Sequence, residues 1–140
     1  MIYHLRWRKI GGLNIKFGEN AGKIWITLNE KGPLSKQELL KNTQLKESDF
    51  QIGIGWLARE NKVNITDEDL YKLDDTNLTP KIGSDAGKVY KILDIWGKVN
   101  FTTIKKLAKI DGKDVYSALG WLAKENKIEI DKKKRYNIKK

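Results

Sequence analysis

Apolar positions along the chain fall into short rows whose period changes. From Ala21 to about Glu30, Ile24 and Leu28 recur at helical spacing with Trp25 beside them, and Gly32-Pro33 stops the row. Asn20 is placed to cap this helix. Ser35 with Glu38 has the form of a capping box and predicts a helix over 36–42 burying Leu39 and Leu40. Phe50, Ile54 and Leu57 make an i, i+4, i+7 row. They predict a third helix that starts near Lys46, Glu47 or Ser48, runs to about Glu60 and ends where Asn61 can turn left-handed. Val63 and Ile65, the turn Thr66-Asp67-Glu68-Asp69 and the return Leu70, Tyr71 and Leu73 read as a hairpin.

The same rows then return, 65 residues later and without a gap. GENAGKIW at 18–25 lies over GSDAGKVY at 83–90, and GWLARENKV at 55–63 over GWLAKENKI at 120–128; about 15 of the 46 positions from Gly18 to Val63 are identical. Asp85 takes the capping place with Val89 and Leu93 buried, Ile104, Leu107 and Ala108 belong to the second helix, and Val115, Leu119 and Leu122 to the third. Ile128, Ile130, Tyr136 and Ile138 form the second hairpin around DKKKR. Two copies are too few for a solenoid, and each is long enough to close its own core.

Ahead of the repeat, Tyr3, Leu5 and Trp7 alternate with His4, Arg6 and Arg8, and Leu13, Ile15 and Phe17 alternate again after Gly11-Gly12. This predicts a β-hairpin over 1–16, a basic arm if Arg6 and Arg8 meet nucleic acid and a packing ribbon otherwise. The expected organisation is an arm at 1–16, a first domain at 17–75, a linker at 76–81 around Pro80, and a second domain at 82–140.

Composition narrows the function classes. There is no cysteine and one histidine, His4, so neither a disulfide framework nor a thiolate or histidine metal site is expected, and no cofactor. No apolar run approaches the ~20 residues that span a bilayer, so the expectation is a cytoplasmic protein without a membrane partner. No phosphate-binding loop or nucleophile–base pair is present, and no enzyme is expected. The net charge of +10 is uneven: residues 17–80 carry a net of −3 and residues 81–140 a net of +9. A basic copy beside a faintly acidic one makes the second the candidate for phosphate contact, against the alternative that lysines only solubilise it.

Helix, short strand, helix, turn, helix and two-stranded hairpin is the winged helix-turn-helix order, here twice, in a mainly α chain with small hairpins. On GENAGKIW with GWLARENKV, and GSDAGKVY with GWLAKENKI, both copies resemble a family of uncharacterised winged-helix proteins of archaea and bacteria. The likeness covers the chain beyond residues 1–16. It implies the fold and leaves the biochemistry unassigned. The arrangement is also similar, as a fold only, to the paired winged helices of eukaryotic transcription and endosomal sorting subunits, which are protein scaffolds.

In such a fold the third helix enters the major groove. The expected outward faces are Ser48, Gln51, Ile52, Gly55 and Arg59 in the first copy, and Lys113, Tyr116, Ser117, Gly120 and Lys124 in the second. Gln51, Lys113, Tyr116 and Ser117 suit base or phosphate contacts, but no outward arginine stands early on either helix, which makes the face poor for readout. Asp49 and Asp114, near the helix starts, suit capping of amides or reading of a cytosine amine, but near phosphates they repel. A glycine at the same place in both third helices, Gly55 and Gly120, predicts close approach of another element, and Trp56 and Trp121 are either core edges or an apolar interface. Lys105, Lys106 and Lys109 on the second helix, and Lys132, Lys133, Lys134 and Arg135 on the second wing, are the strongest phosphate candidates. The expected function is phosphate-driven nucleic-acid binding, to double-stranded DNA, by a monomeric or dimeric regulator-like or chromatin-associated protein. The alternative is a protein-interaction adaptor using the Gly-Trp helices or the acidic first domain.

Overall fold

The computed structural model describes the backbone of residues 2–139 and the side chains of residues 15–139. The first copy comprises α1 (Ile2–Lys31), α2 (Lys36–Thr43), α3 (Glu47–Arg59), β1 (Val63–Ile65) and β2 (Tyr71–Leu73). The chain between the wings runs into a π-helical turn at Thr79–Gly83. The second copy comprises α4 (Ser84–Trp96), β3 (Val99–Asn100), α5 (Phe101–Ala108), α6 (Gly112–Lys124), β4 (Ile128–Ile130) and β5 (Arg135–Ile138). Helices and wings thus start 65 residues apart, at Lys36 and Phe101, Glu47 and Gly112, and Val63 and Ile128.

Local chemistry explains most boundaries. The Ser35 hydroxyl accepts from the Glu38 amide at 3.1 Å and the Glu38 carboxylate accepts from the Ser35 amide at 2.9 Å, a closed capping box. Asn100 repeats half of it, accepting from the Thr103 amide. Gln44 and Lys109 end α2 and α5 in the left-handed region, and Asn61 and Asn126 follow α3 and α6 in the same conformation. In each copy the link after the first helix pairs with the return strand: Leu34 bridges Tyr71, and Val99 pairs with Tyr136, giving the sheet order β3-β5-β4.

Three expectations fail here. Residues 2–16 are helix, the first half of α1, and not a hairpin. Leu13 and Phe17, read as strand positions, also continue the row Ala21, Ile24, Leu28 at spacings of four, four, three and four. Once that row holds a helix against the core, extending it toward the N-terminus costs far less than nucleating a new element, even through Gly11-Gly12. Asn20 and Asp85 are not caps either; both lie inside their helices, and both are buried. Asp85 is held by Lys81 at 3.0 Å, and Lys81 also reaches Asp114 at 3.4 Å. Nδ2 of Asn20, at the matching place, has no hydrogen-bond partner among the described residues.

The cores are built as the rows predict, from Ile24, Leu28, Leu39, Phe50, Ile54, Leu57 and Val63 in the first copy and Val89, Leu93, Ile104, Val115, Leu119, Leu122 and Ile128 in the second. They are not closed on themselves. Phe17, which leads into the first copy, belongs to the core of the second, and its counterpart Ile82 belongs to the core of the first. Burying each contributes about 1.5–3 kcal/mol, so every copy is held partly by a side chain of the other.

Among the described residues the most extensive contact between elements is that of α3 with α6, and it is made through the glycines. A Cβ placed on Gly55 would lie 1.8 Å from the Ser117 carbonyl oxygen, and one on Gly120 would lie 1.9 Å from that of Ile52. Ile52 and Ser117 are themselves equivalent, so the contact is isologous, the same patch of each copy meeting the other. Around it, Ser117 Oγ lies 3.2 Å from Gln51 Oε1, Arg59 pairs with Glu125 at 3.0 Å and stands 5.7 Å over the Trp121 ring, and Lys124 stands 5.6 Å over the Trp56 ring. The half-exposed ion pairs contribute little; the backbone approach that only glycine permits sets the geometry.

Burial in the second wing also sets a pH limit. Desolvation, with smaller contributions from Tyr116 and Asp49, pushes the Tyr136 hydroxyl from its ordinary 10.0 up to about 12. Between those values the unfolded chain has lost a proton that the folded chain keeps, so raising the pH favours unfolding. This group's contribution is full below about pH 10 and is lost as the pH rises through 12, on the order of 3 kcal/mol. Urea titrations of wild type and Tyr136→Phe across this window should show the variant lacking that part of the decline; equal slopes would mean Tyr136 ionises freely in the fold.

Candidate nucleic-acid interface

Each copy presents a helix, a turn and a third helix, α2–α3 and α5–α6, with a wing behind it. In the second copy the turn is Lys109-Ile110-Asp111, reversed by the left-handed Lys109. The face of the third helix that would enter a groove is covered. Gln51, Ile52 and Gly55 of α3, and Ser117 and Gly120 of α6, are all buried, each helix against the other. Gln51 and Ser117 are therefore corrected as base-contacting candidates: their side chains face one another across the two copies. Tyr116 is half-buried, stacked on Phe101 with ring centroids 4.2 Å apart, and burial raises its hydroxyl above the ordinary range. Lys124 is half-buried, turned to Trp56 and 4.0 Å from Glu60. Trp56 and Trp121 are edges of both cores.

The remaining candidates stay in water. Lys105, Lys106, Lys109 and Lys113 are exposed along α5 and the start of α6. Lys105 and Lys106 occupy the last turn of α5, where they also complement the helix dipole. Arg6 and Arg8 lie outside the residues whose side chains are described.

The wings differ from the helices in being open, and their turns follow one backbone path while carrying opposite charge. In the first, the Thr66 amide donates to the Leu70 carbonyl at 2.8 Å and the Asp69 amide to the Thr66 carbonyl at 3.0 Å. In the second, the Asp131 amide donates to the Arg135 carbonyl at 2.9 Å and the Lys134 amide to the Asp131 carbonyl at 3.0 Å. Asp69 and Lys134 have φ of 63° and 62°. One backbone turn thus carries exposed Asp67, Glu68 and Asp69 in one copy and exposed Lys132, Lys133 and Lys134 in the other. Arg135 is tied down: its guanidinium and its amide both donate to Asp131, whose carboxyl they hold below the usual range, the Arg135 amide contributing most. Lys98 lies 3.8 Å from the same carboxylate. It joins the wing from the far end of β3, and the sequence hid it because its neighbour is 33 residues away.

A domain with this helix-turn-helix and wing, present twice, can be placed. A model of the family "Winged helix-turn-helix domain (DUF2582)" matches residues 13–73 and again residues 74–139. The chain belongs to this winged helix-turn-helix family. An uncharacterised protein of Methanocaldococcus jannaschii is 40% identical over 53 residues, covering 36% of this chain and 74% of the relative. No solved structure matches the chain. Membership of the DUF2582 winged helix-turn-helix family points in general terms to nucleic-acid binding by a module that is typically not an enzyme. No helix among the described residues is long and apolar enough to cross a membrane, and no group of His, Cys, Asp or Glu among them could hold a metal ion.

Proposed function

We propose that this winged helix-turn-helix protein binds DNA by its phosphates, with little regard for sequence, and that it does so through the second copy. The wing lysines Lys132, Lys133 and Lys134 with Lys98 form the centre of the surface, and Lys105, Lys106, Lys109 and Lys113 extend it. The paired third helices act as the scaffold that joins the copies. One observation carries this reading: two wings with the same hydrogen-bonded turn bear opposite charge. The turn has no structural need of lysine, since the first copy builds it from acids. Phosphate-facing lysines release counterions on binding, whereas acids at that place would be repelled. The role that fits is a DNA-associated, regulator-like protein of the cytoplasm. The test is a salt titration of duplex binding by wild type and by the wing variant Lys132→Ala, Lys133→Ala, Lys134→Asn. Binding that is absent, or insensitive to salt, would reject the proposal.

A second reading, a protein-interaction adaptor, has its own support. The residues identical in both copies line two matching grooves between the first and third helices, about 370 Å³ at Gly22, Trp56 and Glu60 and about 250 Å³ at Gly87, Trp121 and Glu125. A Cβ on Gly22 or Gly87 would meet nothing within 4 Å, so these glycines are not kept for packing inside the chain. If the adaptor reading holds, purified protein shows no salt-sensitive DNA affinity and recovers a protein partner that a Gly22→Leu, Gly87→Leu variant fails to hold.

A further inference from the structure

The two copies are controls for one another, and they diverge at one corner as well as at the wing. The first helix of each copy ends at a glycine with positive φ, Gly32 at 78° and Gly97 at 75°, and the chain then joins the edge of the hairpin. In the first copy this corner reads Glu30, Lys31, Gly32, Pro33; in the second it reads Ile95, Trp96, Gly97, Lys98. Ile95 is 66% and Trp96 is 61% exposed, the most exposed large apolar side chains among the described residues. Lys98 is the residue whose ammonium lies 3.8 Å from Asp131 at the root of the basic wing. Two residues span at most about 7 Å, so Trp96 stands close to Lys98, toward the end of the hairpin away from its turn. Exposed Lys88 and Lys91 lie on the same ridge of α4 as Ile95, with Asp94 as the exposed acid of its last turns.

Scattered apolar residues on a surface need no explanation. This indole is different, because the first copy has Lys31 at the same place, and because the lysine two residues after it reaches the basic wing. Lysines and an exposed aromatic together are the means by which unpaired strands are held: cations follow the phosphates, and a base stacks on the ring whatever its identity. A duplex hides its base faces, and the route this fold offers to duplex base edges is closed by the α3–α6 contact. An anionic bilayer would also attract lysines and an indole, but interfacial binding scales with buried apolar area. Here that area is two adjacent side chains at a helix end, not a stripe along a helix.

We infer that Trp96 is a stacking platform for an unpaired base, so that the second copy takes single-stranded nucleic acid with its phosphates on Lys98 and the wing lysines. This rests on the reading of the wing as a phosphate surface. The full chain is tested by fluorescence anisotropy against a labelled oligothymidylate, against a labelled duplex, and against vesicles of mixed neutral and anionic phospholipid. Trp96→Ala, Trp96→Phe and the wing variant are compared with wild type, with circular dichroism to confirm folding. Trp96→Ala should weaken single-strand binding by about 10-fold or more, leave duplex binding within about twofold and leave the salt slope unchanged, while Trp96→Phe retains most of the affinity. The wing variant should weaken both nucleic acids and lower both slopes. If Trp96→Ala leaves oligothymidylate affinity intact while the wing variant weakens it, the phosphate reading stands and the platform falls. An equal loss on single strand and duplex also overturns the platform, because the indole then only positions the wing. Trp96-dependent vesicle binding without oligothymidylate binding makes the corner a membrane contact and overturns the inference. Absence of salt-sensitive binding to either nucleic acid removes the phosphate reading and this one with it.

Discussion

Gly55→Ala and Gly120→Ala should each destabilise the protein by about 3 kcal/mol or more, and the two together should cost little beyond the worse of the two. A methyl group on Gly55 would sit 1.8 Å from a backbone oxygen of α6, and one on Gly120 would sit 1.9 Å from a backbone oxygen of α3. Real Cβ atoms keep beyond 3.0 Å, and neither obstacle is a flexible side chain that can swing aside. The helices must move apart by more than an ångström, loosening Ile52, the Gln51–Ser117 contact and the Arg59–Glu125 pair together. Once they have parted for one methyl, the second finds space already made, so the effects should not add. Alanine is favoured over glycine inside a helix by about 0.5–1 kcal/mol, so the sign of the result separates the cases. Gly22→Ala and Gly87→Ala supply the control: nothing lies within 4 Å of either new Cβ, and both should stabilise by about that amount. Urea denaturation measures all five proteins. The pairing of α3 with α6 is disproved if Gly55→Ala stabilises as Gly22→Ala does.

The wing variant should lower the salt slope of log affinity for duplex DNA by roughly two to three, at about 0.9 for each phosphate no longer neutralised. At moderate ionic strength that corresponds to a weakening on the order of 10²- to 10³-fold, similar for every duplex sequence. Asn replaces Lys134 because φ of 62° suits Asn, and the backbone bonds from Asp131 that hold the turn involve none of the three side chains. Stability should therefore hardly change. The matching change in the first wing, Asp67→Ala, Glu68→Ala, Asp69→Asn, removes three acids from the same turn and should leave binding equal or tighter. Unchanged affinity and slope in the lysine variant would reduce the second wing to a solvated turn and leave the adaptor reading in front.

Local rules and the repeat made much of this protein legible without coordinates. The capping box at Ser35 and Glu38, the left-handed Asn61 and the stop at Gly32 act over three or four residues, so the sequence contains all of their partners. The 65-residue offset then carried the starts of the second and third helices and of the wings from one copy to the other, and the opposite signs of the wings could be read directly from TDED and DKKKR. Misreading began where a partner lies far along the chain. Leu13 and Phe17 satisfy both a period of two and a helical row, and only the core that Phe17 enters selects the helix. Asn20 and Asp85 look like caps because Ser, Asn and Asp usually are, yet tertiary packing places them inside helices with their side chains buried.

The third helices are the plainest case. Their inner rows were readable, since Phe50, Ile54 and Leu57 must be buried in any such fold. Their other face reads as open because a lone winged helix leaves it open, although the repeated Gly55 and Gly120 signal an approach. A sequence pattern shows that a helix has a second face able to be covered. It does not name what covers it, because glycine attracts nothing by itself and merely allows a backbone to come near. That the visitor is the other copy, and that the fold's usual reading face is thereby closed while the wing remains open, follows only from how the two copies pack.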